Sequence, residues 1–106
     1  DDQWFDLIKW TLFATILAEE KGVTAANVDS MRSSRDPEIR RLLGSDPGMG
    51  KPLGLDDFWA ARIIAQVGNY GEIFERNLGR NSPIGLDRGQ NALWTHGGLI
   101  YAPPLR

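Results

Sequence analysis

The 106-residue sequence predicts an all-α chain of five or six short-to-medium helices, and three observations carry that expectation. Apolar residues recur at helical spacing from Trp4 to Lys21. Asp36-Pro37-Glu38 is a strong helix start, with a capping acid, proline at the first helical position and an acid in the first turn. No two stretches alternate as strands that could pair. The length fits one domain, or a piece of a larger one. Area scaling allows roughly two thirds of the unfolded surface to be buried, enough for one modest core.

Taken in order, the first helix runs from Trp4 to Lys21, with Asp2 able to cap it and Gly22 stopping it. Trp4, Leu7, Ile8, Phe13, Ile16 and Leu17 trace its main apolar face. Phe5, Trp10, Leu12 and Ala14 fall elsewhere around it, so the helix is apolar nearly all round and predicts burial on several sides. Ala25 to Met31 reads as a short helix capped by Thr24. The helix opened by Asp36 ends at Gly44. Residues 45–54 hold three glycines and two prolines, which predicts a flexible loop. Leu55-Asp56 starts a further helix with Trp59, Ile63, Ile64 and Val67 as its stripe. Gly68 interrupts it, and Asn69-Tyr70-Gly71 kinks it or opens a separate helix through Asn77. Gly79 to Pro83 is a turn. Asp87 caps a last helix to about Trp94, Gly97-Gly98 ends that helix, and Leu99-Ile100-Tyr101 is at most one short extended piece.

Composition removes several function classes. The chain has no cysteine and one histidine, which excludes disulfides, thiolate metal sites, thiol nucleophiles and multi-histidine metal cages. Twelve basic against fourteen acidic side chains is not the balance of a nucleic-acid binder. No run approaches the 18 apolar residues of a membrane helix. The start Asp1-Asp2, without a methionine or a basic region, points to a processed or truncated product.

The candidate motifs fare poorly. Gly50-Lys51 fails as a phosphate loop, because Ser45 stands where a glycine is needed and Pro52 where the magnesium-binding hydroxyl is needed. Arg32, Arg35, Arg40 and Arg41 are interleaved with Asp29, Asp36 and Glu38, the pattern of a solvated surface. Asp56-Asp57 sits at a helix start, where acids cap. Glu72 and Glu75 beside Arg76 read as surface charge rather than an acid/base couple. His96 has no acid in its own motif to orient it, and no serine lies in a nucleophile elbow.

Four strings nonetheless form a specific likeness: Trp4-Phe5-Asp6-Leu7-Ile8-Lys9-Trp10-Thr11-Leu12-Phe13-Ala14, Glu19-Glu20-Lys21-Gly22-Val23-Thr24, Gly68-Asn69-Tyr70-Gly71-Glu72-Ile73-Phe74-Glu75-Arg76-Asn77, and Ala92 through Pro104. Together they resemble the C-terminal part of the solute-binding proteins of general L-amino-acid ABC transporters, which are type II periplasmic binding proteins. The resemblance spans the whole chain. It implies that residues 1–106 are one helical segment from a two-lobe α/β parent that is periplasmic, non-enzymatic and free of cofactors. That parent would deliver an L-amino acid to an ABC permease.

The resemblance also implies that the ligand-holding groups lie upstream of Asp1. No catalytic, ligand-binding or metal-binding residue is therefore assigned, and the role expected of this segment is structural. Cut off from the rest of a lobe, the first helix would leave Trp4, Phe5, Trp10 and Leu12 short of cover. The expected consequence is a homodimer formed through that surface. A free-standing helical interaction module is the competing class, and a small hydrolase using His96 the third.

Overall fold

The computed structural model describes residues 2–45 and 56–103. Most of the loop predicted at 45–54, and the whole Gly50-Lys51 motif, lie outside the described residues. Among the described residues there are five helices: α1 (Asp2–Glu20), α2 (Val28–Met31), α3 (Pro37–Leu43), α4 (Trp59–Val67) and α5 (Tyr70–Asn77). Two single-turn 3₁₀ segments follow at Gly89–Asn91 and Trp94–His96. Among the described residues the only ladder-like contact is an isolated parallel bridge between Leu93 and Ile100. The all-α expectation holds.

α1 ends as its sequence dictates. Gly22 takes φ +72, its N–H donates to the Glu19 carbonyl at 3.1 Å, and the Val23 N–H donates to the Ala18 carbonyl at 2.8 Å. That pair of bonds is a Schellman motif, and it drives the fully buried Val23 back under the helix. α3 is equally local in origin. One Asp36 carboxylate oxygen accepts from the Glu38 N–H at 2.8 Å and, more weakly, from Ile39 at 3.4 Å. The other carboxylate oxygen pairs with Lys21 at 3.2 Å. The Glu38 N–H bond first, then Lys21, holds the Asp36 carboxyl below the ordinary carboxylate range. Lys21 also reaches Glu38 at 2.9 Å, so one ammonium ties the end of α1 to the start of α3.

The core lies where α1, α2, α3 and α4 meet, with α5 packed on α1 beside it. Ala14, Leu17, Ala18, Val23, Val28, Ile39, Leu42, Leu43, Trp59, Ala60, Ala61 and Ile64 form one buried cluster, flanked by half-buried Trp10, Phe13, Met31 and Ile63. Five consecutive residues of α1, Ala14 to Ala18, are buried, so this half of the helix is covered on every side. Thr15 is accommodated there because its hydroxyl donates to the Leu12 carbonyl at 2.7 Å.

Three sequence expectations are corrected. The helix predicted from Leu55-Asp56 begins only at Trp59. Asp56 instead caps the preceding turn, accepting from the Phe58 N–H at 2.9 Å and pairing with Arg62. No helix spans 87–94. The Asp87 carboxylate pairs with Arg80 instead of capping backbone, and Gly89 sits at φ +53, so the segment breaks into two 3₁₀ turns. Val28–Met31 is shorter than the predicted 25–31. Thr24 and Asn27 close the preceding turn on each other, the Asn27 N–H donating to the Thr24 hydroxyl at 3.1 Å and the Thr24 N–H to Asn27 Oδ1 at 2.7 Å.

Candidate functional site

The N-terminal half of α1 contrasts with its buried half. Trp4 is 62 % exposed, Phe5 66 %, Ile8 53 % and Leu12 45 %. Trp4, Phe5 and Leu12 belong to the surface expected to be short of cover, and all three are exposed, as is Ile8 of the main apolar face. At their level of the helix the described neighbours do not cover them, while three turns later everything is covered. Trp10, expected to be short of cover too, is half-buried. Its ring meets Phe13 edge-on with centroids 5.8 Å apart and leans on the core, while the Lys9 ammonium sits 5.3 Å from its centroid. The exposed apolar surface is therefore Trp4, Phe5, Ile8 and Leu12, without Trp10.

The described titratable groups do not gather around a shared point. His96 is exposed and closes the second 3₁₀ turn, its N–H donating to the Leu93 carbonyl at 2.8 Å. Among the described residues no three of His, Asp and Glu converge closely enough to hold a metal ion, and no helix is long and apolar enough to cross a membrane. Arg32 is spread over the Phe58 ring at 5.3 Å and lies 4.0 Å from Asp29, which places it in surface packing.

Glu72 is the residue the sequence reading misplaces. It is half-buried and does not act as surface charge. Its carboxylate accepts from the Asn69 N–H at 2.9 Å and from the Ala25 N–H at 3.1 Å, while Asn69 Oδ1 accepts from the Glu72 N–H at 2.9 Å. This is a capping box that also reaches the α1–α2 loop. The Asn-x-x-Glu spacing before an apolar run was the signal for it. Asn69 itself is buried, and its amide donates to the Val23 carbonyl at 2.8 Å. The Gly68–Glu72 stretch thus ties the end of α4 and the start of α5 to the α1–α2 loop.

No family model matches the chain. Individual proteins do. The chain is 58 % identical along its whole length to the general L-amino acid-binding periplasmic protein AapJ of Rhizobium johnstonii. It is 52 % identical to the glutamate/glutamine/aspartate/asparagine-binding protein BztA of Rhodobacter capsulatus and to the putative amino-acid ABC transporter-binding protein YhdW of Escherichia coli. A solved periplasmic binding protein of an ABC transporter from Brucella ovis, with glutathione bound, superposes on the entire chain at TM-score 0.95 with 52 % identity. The chain is homologous to part of these periplasmic binding proteins. It spans 31–32 % of the length of those curated relatives and 34 % of the solved one. The apolar half of α1 is accordingly seen here without the other two thirds that the relatives possess.

Proposed function

We propose that this chain serves as the helical part of a periplasmic binding protein that captures an L-amino acid and presents it to an ABC permease, without catalysing any reaction. The observation that supports the reading most is full-length identity of 52–58 % to one third of such proteins, with an α1 surface left bare on the side where more protein is needed. The role of this third is to complete a lobe. The buried Asn69 and the half-buried Glu72 are spent on its own backbone, and among the described residues the most buried arginine–acid pair, Arg88 with Glu19, is closed on itself.

The reading is tested by calorimetric titration with a panel of L-amino acids and glutathione. The full-length protein is expected to bind at least one amino acid at micromolar affinity, and the 106-residue chain none. Heat above dilution from the short chain would place a ligand site within it, and silence from the full-length protein would remove the transport reading.

The bare surface has a second consequence. Burying Phe5, Ile8 and Leu12 against a second copy gains roughly 1.5–3 kcal/mol per side chain before the costs of association. The isolated chain is therefore proposed to form a two-fold dimer through α1, whereas the full-length protein covers the same face internally. Sedimentation at micromolar concentration should give twice 11.8 kDa, reverting to monomer in the Phe5→Glu/Leu12→Glu variant. A monomer that also leaves a hydrophobic dye dark would count against it.

A further inference from the structure

α1 breaks a rule of helix electrostatics. Its last turn carries Glu19 and Glu20 and no basic residue, so two carboxylates sit at the negative end of the helix dipole. A local rule broken in this way calls for a tertiary partner, and both partners come from far along the chain. Arg88 grips Glu19 with two parallel bonds, Nη1 to Oε2 at 2.7 Å and Nη2 to Oε1 at 2.9 Å, with side chains only 17 % and 15 % exposed. The Ala102 N–H donates to Glu20 Oε2 at 3.1 Å, and Ala102 packs on the core.

Arg88 is held on every side. Its guanidinium lies 5.4 Å from the Tyr70 ring centroid and 5.5 Å from that of Phe74, and it donates to the Asn91 carbonyl at 2.9 Å. Beneath it, Gly71 leaves room that a Cβ would fill, 2.6 Å from Glu19 Oε2. The Glu19 bond foremost raises the guanidinium pKa above its ordinary value, so this cation stays charged throughout the working pH range.

The segment that bears these ties is braced on itself. Trp94 donates to the Ile100 carbonyl at 2.8 Å, Gly98 to Leu93 at 3.0 Å, Leu99 to Gln90 at 2.8 Å and Ile100 to Ala92 at 3.1 Å. Leu93 is its one buried large side chain, while Ile84, Leu86, Trp94, Leu99 and Tyr101 are exposed. Strong internal bonds, side-chain ties to two adjacent residues at the end of α1, one backbone tie to the end of α5 (the Leu86 N–H to the Leu78 carbonyl at 2.8 Å) and little buried apolar area describe a unit that opens separately from the core. We propose that residues 84–103 form a strap that docks on and leaves the helical core as one body, latched by the Glu19–Arg88 pair and the Glu20–Ala102 bond.

Amide hydrogen exchange on the 106-residue chain reads this directly. In Arg88→Met, exchange at Gly98, Leu99, Ile100 and Ala102 is expected to rise at least tenfold. The Gly68 and Leu78 amides, which close α4 and α5, should change less than threefold. Arg88→Lys keeps the charge but loses the fork, and should fall between. Glu20→Ala, which removes the Ala102 tie and keeps Arg88 with its Tyr70 and Phe74 contacts, should loosen the same strap amides and spare the helices. A rise shared equally by strap and helices, outright unfolding included, would make the segment part of the cooperative core and overturn the proposal, as would strap amides that do not respond.

Discussion

Gly44→Ala is expected to destabilise the chain by about 2–5 kcal/mol, and Gly22→Ala by only about 1–2 kcal/mol. Both glycines end helices in the left-handed region, at φ +86 and +72. Both substitutions therefore carry the same conformational cost. They differ in space. A Cβ on Gly22 would meet nothing within 4 Å, whereas on Gly44 it would lie 2.3 Å from the Asp57 carbonyl oxygen and 2.8 Å from the Phe58 ring. Backbone cannot step aside as a flexible side chain can, so α3 and the turn before α4 would have to separate. That turn leads directly into Trp59, Ala60 and Ala61, all in the core. Thermal unfolding of the two variants side by side checks the claim. At roughly 4–8 °C per kcal/mol for a chain of this size, Gly44→Ala should lose at least about 8 °C. Equal midpoints for the two variants would mean that the close approach to Asp57 does not exist.

What could be read from the sequence was what local chemistry alone decides. α3 is legible to the residue because Asp36, Pro37 and Gly44 each act within one turn of themselves. The end of α1 is legible for the same reason, since a Schellman motif needs only Gly22 and a following apolar residue. The predicted helix over 87–94 fails because both of its supports are claimed at a distance. Asp87 is taken by Arg80, and Arg88 by Glu19 on the far end of α1. No spacing rule connects residues 69 positions apart.

The surface on α1 was half legible, and the reason is instructive. Periodicity tells that a helix is apolar all round, but not which of its turns will find cover. Trp4 and Ile8 share a stripe with Ile16 and Leu17, yet the first two are exposed and the last two buried. The difference is set by where α3, α4 and α5 lie along the helix, a property of tertiary arrangement. Trp10 illustrates the reverse. It is off-stripe by spacing, yet Phe13 and the core draw its ring inward. The 52–58 % identity to only a third of longer binding proteins gives the exposed turns their context.

Asn69 supplies the sharpest test of the capping box, because substitution by aspartate should separate its two duties. Asn and Asp are equivalent at a helix N-cap, so if capping α5 were the whole role, Asn69→Asp would be nearly neutral. The structure assigns the buried amide a second task, donating to the Val23 carbonyl at 2.8 Å. Aspartate has no donor to offer when ionised, and it places an anion against that carbonyl. Asn69→Asp is therefore expected to cost about 2–3 kcal/mol, the penalty of a buried acceptor left without a partner plus the mismatch of like charges. Asn69→Ala should lose about 1 kcal/mol for the cap and a further 1–3 kcal/mol for the stranded carbonyl. Glu72 cannot rescue either variant, since its carboxylate is an acceptor already engaged by the Asn69 and Ala25 N–H groups. Urea unfolding at neutral pH measures both. An aspartate variant within 0.5 kcal/mol of the parent would show that the tie from α5 to the loop after α1 carries no weight. In that case the Gly68–Glu72 stretch would be a helix cap and nothing more.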